Sequence, residues 1–209
     1  MELFLYLFAA LFSVINPLAT LPIFVSLTSE DVPVIRRKTA LMTAINVAII
    51  LLVSYFVGQY VLTFFGISID SLKIAGGLII TSSGFALLTG KFAEHKGLNK
   101  RARTSVRTRN DISFTPLAMP ILAGPGSMSL LISANQKYQE PNEMLIAIIA
   151  ILTICIVIFL MLRSAQYIIV GLGNSGINAI SRIIGFVVIA IGIEYITAAI
   201  VNLINGIPN

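Results

Sequence analysis

Apolar positions run along this chain in long blocks that contain almost no charge. Six blocks come close to the roughly 20 apolar residues that a helix needs to cross a bilayer. They are Leu3–Leu27, Thr39–Phe65, Leu72–Gly90, Ile112–Ser133, Met144–Leu162 and Ile183–Ile204. Each predicts a transmembrane helix. The stretch Ser164–Ser181 is uncharged too, but its apolar part is short and breaks into "GLGNSG", which predicts an irregular connection near the membrane interface. That string fits a G-x-G-x-x-G pattern, yet no strand precedes it and no acid follows at dinucleotide-binding spacing. The first block lacks a basic leader and stays apolar for longer than the core of a signal peptide, so it reads as a retained span.

Composition agrees with the pattern. The chain is 57% hydrophobic and 11% charged, where soluble domains carry about 25% charge. Its net charge of +5 does not point to nucleic acid. Half of the 14 Lys and Arg fall between Lys91 and Arg109, and the stretch "HKGLNKRARTSVRTRND" has no Phe, Tyr or Trp to stack on bases. With the N-terminus outside, the inner loops hold Arg36, Arg37, Lys38, those seven, Arg163 and Arg182, and the outer loops hold Lys73 and Lys137. Basic residues collect on the cytoplasmic side. Both termini are therefore expected outside and the 91–111 loop in the cytoplasm. The single cysteine, Cys155, lies in an apolar block and reads as packing.

Turn chemistry interrupts two of the blocks. Asn16-Pro17 falls near the centre of the first and Gly124-Pro125-Gly126-Ser127 near the centre of the fourth. Shifted by 108 residues, the sequence lays Pro17 on Pro125, Pro33 on Pro141, Gly77 on Gly185 and Gly84 on Gly192. A rival shift of 99 aligns "NPLA" with "TPLA" at Thr115-Pro116 but loses the later glycines, so Thr115 stays a secondary candidate. The expected fold is an all-α membrane protein of six helices. It consists of two inverted three-helix repeats, about 1–92 and about 112–209, joined by the basic loop of about 93–111. Helices 1 and 4 are discontinuous. Secondary transporters commonly use this architecture.

Proline has no N–H, so each break frees a carbonyl four residues upstream, at Ser13 and at Ile121. Asn is a good N-cap and Pro is favoured at the first helical position. "NP" therefore reads as the start of a second half-helix, whose N–H groups attract an anion such as a carboxylate. Freed carbonyls can take an ammonium or a cation. The substrate-binding candidates are Asn16, Pro17, Thr20, Thr115, Gly124, Pro125, Gly126 and Ser127. Glu194 is a carboxylate inside the sixth block, which is costly in a membrane. With Ser13 it is the candidate for ion coupling. The paired glycines, seven apart in each repeat, predict a close contact between helices 3 and 6, and Asn46 predicts a helix–helix hydrogen bond. No His cluster, zinc spacing or serine with an evident base points to an enzyme.

The blocks "NPLATLPIF", "GISIDSLKIAGGLII", "PLAMPILAGPGSMSLLIS" and "ISRIIGFVVIAIGIEYI" resemble the MarC family of prokaryotic membrane proteins, over Leu3 to Asn202. Members of that family include SnatA-like transporters of small neutral amino acids. The resemblance implies a multi-pass inner-membrane protein that takes up glycine or alanine with H+ or Na+ and has no other cofactor. Its expected partners are a small zwitterion and the lipid bilayer. A drug or metabolite exporter on the same scaffold and a passive channel are the competing readings.

Overall fold

The computed structural model describes residues 2–28, 31–90 and 112–205. The basic segment 91–111 lies outside them. The described residues form eight helices and no strand. In chain order these are α1 (Glu2–Ile15), α2 (Pro17–Leu27), α3 (Pro33–Phe64), α4 (Ile69–Leu88), α5 (Ser113–Leu122), α6 (Pro125–Lys137), α7 (Pro141–Arg163) and α8 (Ala165–Asn205).

Five segments are long and apolar enough to cross a membrane: Glu2–Val25, Pro33–Phe64, Ile69–Leu88, Pro141–Arg163 and Asn178–Ile204. They overlie five of the six expected blocks. The remaining block, Ile112–Ser133, is divided. Its halves have 10 and 13 residues. At about 1.5 Å per residue, neither half alone spans about 30 Å of hydrocarbon. The division falls at Ala123-Gly124, where extended Gly124 precedes Pro125, and two further prolines distort the first half. Thr115 (φ −118, ψ 121) and Met119 (φ −126, ψ 127) depart from helical geometry, and each immediately precedes a proline. A proline ring clashes with a helical residue before it and drives that residue to extended backbone. The turns that persist around these two residues are wide ones of the π type.

The opposite correction applies to Ser164–Ser181. The expected irregular connection is helical from Ala165 onward. Only Gly173 leaves the helix, at φ 65 and ψ 167, a conformation that suits a residue without Cβ. The chain thus breaks inside the glycine string, at Gly173, and is helical on either side of it.

The closest helix pair is α4 with α8. A Cβ built on Gly77 would lie 2.6 Å from the Gly192 carbonyl, and one on Gly84 would lie 2.7 Å from the Gly185 carbonyl. The reverse substitutions collide likewise, at 2.9 Å for Gly185 and 2.7 Å for Gly192. Backbones this close exclude any side chain, and small residues are what let membrane helices pack so tightly. The seam joins the two glycine pairs picked out by the sequence. Elsewhere α3 packs on α5, α6 and α7, and α1 on α7, around a core that includes Leu11, Leu51, Leu122, Leu130, Ile151 and Ile158. Large apolar side chains such as Ile49, Phe56, Ile149, Ile156 and Phe186 point outward. That outer surface suits lipid contact, since lipid tails are as apolar as these side chains.

Candidate functional site

α1 stops at Ile15 because Pro17 cannot donate to the Ser13 carbonyl. Asn16 turns the chain in a left-handed conformation, φ 44 and ψ 68. Asn tolerates that region better than most residues. Its side chain then caps α2, with the Ala19 N–H donating to Asn16 Oδ1 at 3.3 Å. Because Oδ1 faces that donor, the amide nitrogen faces away. Asn16 is 0% exposed, and Nδ2 has no hydrogen-bond partner among the described residues. A buried donor left unpaired costs about 1–3 kcal/mol, so this position favours an acceptor arriving from elsewhere. The neighbouring hydroxyl is already committed: Thr20 Oγ1 donates to the carbonyls of Pro17 at 2.9 Å and Asn16 at 3.3 Å.

The second helix start is built differently. Gly124 (φ −84, ψ 173) precedes α6 in extended backbone, and no side chain caps the helix. The N–H groups of Gly126 and Ser127 belong to the first turn and have no acceptor within the helix. Ser127 Oγ donates back to the Gly124 carbonyl at 2.9 Å, and the Met128 N–H donates there too at 3.2 Å. Gly126 and Ser127 are buried, while Pro125 is exposed.

The two starts are neighbours. A Cβ on Gly126 would stand 2.8 Å from Ile80 Cγ1 and 3.4 Å from Val14 Cγ1. Val14 lies two residues before Asn16. The last turn of α1, the start of α6 and the middle of α4 thus converge. Among the substrate candidates, Asn16, Pro17, Thr20, Gly124, Gly126 and Ser127 are all buried. Thr115 is exposed on α5, outside that buried group.

Ser13 and Glu194 meet in a separate place. A cleft of about 440 Å³ separates α1 from α8, and its walls include Tyr6, Ala9, Ser13, Ala190, Glu194 and Tyr195. Glu194 is exposed within it and forms no ion pair or hydrogen bond among the described residues. A carboxylate in a membrane span is costly, and the cleft gives this one an open face.

Several polar residues near the helix starts escaped notice in the sequence. Ser129 is buried against Gly76, and its Oγ donates to the Leu72 carbonyl at 3.2 Å. Thr43 on α3 is fully buried, and its hydroxyl has no partner. The available signal was spacing: Gly126, Ser129 and Ser133 sit at helical intervals on one face of α6. Asn46 Nδ2 donates to Ser113 Oγ at 3.4 Å, a bond between α3 and α5.

Long apolar helices, a glycine seam and buried polar groups at two helix starts define a multi-pass integral membrane protein. The chain belongs to the MarC family of integral membrane proteins, whose profile matches residues 1–204. It is 36% identical over 202 residues to the UPF0056 membrane protein YhcE of Escherichia coli (strain K12), covering 97% of this chain and 94% of YhcE. It is 32% identical over 198 residues to the UPF0056 inner membrane protein MarC of Salmonella typhimurium, covering 90% of each chain. No solved structure matches.

Proposed function

We propose that the protein is a secondary active transporter of small neutral amino acids such as glycine and alanine, driven by H+ or Na+. The observation that carries this reading is the buried Asn16 amide, which has no acceptor among the described residues and follows Val14, a neighbour of the start of α6, by two positions. A substrate carboxylate satisfies that N–H and the two first-turn N–H groups of α6 together. The Ser13 carbonyl, which Pro17 leaves without its helical donor, is available to the substrate ammonium. Gly126, Val14 and Ile80 leave little room around the site, which favours a small side chain.

In this reading α1–α2 and α5–α6 are each one broken crossing, giving six spans in two inverted repeats. Helix starts support it. Pro17 and Pro125 begin α2 and α6, Pro33 and Pro141 begin α3 and α7, and both pairs are 108 positions apart. The glycine seam supports it as well. Exchanging each residue for its counterpart 108 positions away turns the Gly77–Gly192 contact into the Gly185–Gly84 contact, so the seam maps onto itself. Rocking one repeat against the other then opens the site to either side in turn. The distribution of Lys and Arg supports termini outside and the 91–111 loop in the cytoplasm of an inner membrane.

Uptake of labelled glycine and alanine into proteoliposomes, with proton and sodium gradients imposed in turn, tests the proposal. Accumulation above equilibrium with one gradient is expected. Mere equilibration with both would replace the transporter with a passive channel.

A further inference from the structure

We infer that the α1/α8 cleft is the water-filled access path to the Asn16 site and that Glu194 makes it selective for solutes bearing an ammonium group. The inference rests on the transporter reading for what lies at the bottom of the path. The path itself rests on the cleft.

The cleft follows one face of α1 from Tyr6 through Ala9 to Ser13. Those eight residues span about 10 Å of helix. Ser13 ends this face one turn before Asn16, where α1 stops. At the other end, Tyr6 is exposed. The cleft therefore runs from the protein surface to the neighbourhood of the helix start. Its walls are small at Ala9, Ser13 and Ala190, which keeps it open. Glu194 is the only formally charged residue among those that line it. A lone carboxylate facing lipid is costly. Water and a passing cation remove that cost, and a negative charge between low-dielectric walls concentrates cations over anions.

The other repeat is only partly closed at the matching positions. The counterparts of Ala9, Ser13, Glu194 and Tyr195 at the 108-residue offset are Leu117, Ile121, Ala86 and Leu87, all buried, and those of Tyr6, Val187 and Ala190 are Phe114, Ile79 and Ser82, all exposed. The carboxylate has no counterpart in that repeat.

Cysteine accessibility tests this in proteoliposomes, in a Cys155→Ala background that removes the chain's single cysteine. Ala9→Cys and Ser13→Cys are treated with a cationic trimethylammonium methanethiosulfonate and with its anionic sulfonate counterpart. Both positions should react, and the cationic reagent should lead at Ser13→Cys by about tenfold. Glu194→Gln should erase that lead and Glu194→Asp should keep it. Labelling after denaturation verifies that every variant carries its thiol. Ser13→Cys inert to both reagents while Ala9→Cys reacts would reduce the cleft to a surface dent. A cationic lead that survives Glu194→Gln would remove the carboxylate from its role. Reactive cysteines in a protein that accumulates no amino acid would sink the transporter reading and leave the path intact. Amino acid accumulation with Ser13→Cys inert would do the reverse.

Discussion

Asn16-Pro17 and Gly124-Pro125 both begin a helix at proline, and they solve the same problem by different means. At the first, a side chain does the capping. Asn16 Oδ1 takes one orphan N–H of α2, and the other end of the same amide is left unpaired in a fully buried position. At the second, the cap has no side chain, so the backbone of α6 lies bare and neighbours approach to within van der Waals distance. One start supplies a directed donor and the other supplies space and backbone N–H groups. In the proposed reading a small ligand with a carboxylate uses both, and neither start alone would hold it.

The largest effect is expected at the donor. Asn16→Gly removes the amide, keeps the left-handed conformation accessible and costs a cap only a few tenths of a kcal/mol. Glycine uptake should fall about a hundredfold, equivalent to about 2.7 kcal/mol, with little change in thermal unfolding. Asn16→Ala should lose the same uptake and also destabilise by about 2 kcal/mol, because it adds left-handed strain to the lost cap. Equal melting of the two variants would show that the conformation of Asn16 does not matter to the fold.

Next comes the space at the second start. Gly126→Ala should lower uptake about tenfold, since the new methyl meets Ile80 at 2.8 Å and overpacking costs about 1–3 kcal/mol. Ile80→Ala in the same chain should restore part of it, and a double-mutant cycle reads the coupling. Independent effects would mean that close approach is not what Gly126 provides. Ser127→Ala loses one bond to the Gly124 carbonyl, about 1 kcal/mol. Met128 still satisfies that carbonyl, so uptake should fall about fivefold. Thr115→Ala sharpens the comparison from outside the buried group. Its hydroxyl is exposed, and uptake should stay within about twofold of the parent, in line with surface substitutions of about 0.5 kcal/mol or less.

Much of this was legible because proline and glycine constrain backbone directly. The helix start at Asn16-Pro17 follows from capping chemistry, and the α4/α8 seam follows from glycines seven apart. The division of the fourth apolar block went further than its sequence reading, because Pro116 and Pro120 each disturb the residue before them inside α5. The break within "GLGNSG" is there, at Gly173, but it is narrower than the irregular connection its sequence reading expected. Glycine permits a bend but does not demand a loop, and the apolar residues on either side keep the chain helical. The meeting of Ser13 with Glu194 had no local signal. It depends on how α1 and α8 pack, which spacing along one chain does not encode.

Equilibrium binding of labelled glycine to the detergent-solubilised protein, parent against Asn16→Gly, tests the binding site most directly. The account predicts saturable binding to the parent, its loss in Asn16→Gly, and matching melting curves for the two proteins without ligand. Equal glycine binding by both proteins would contradict it.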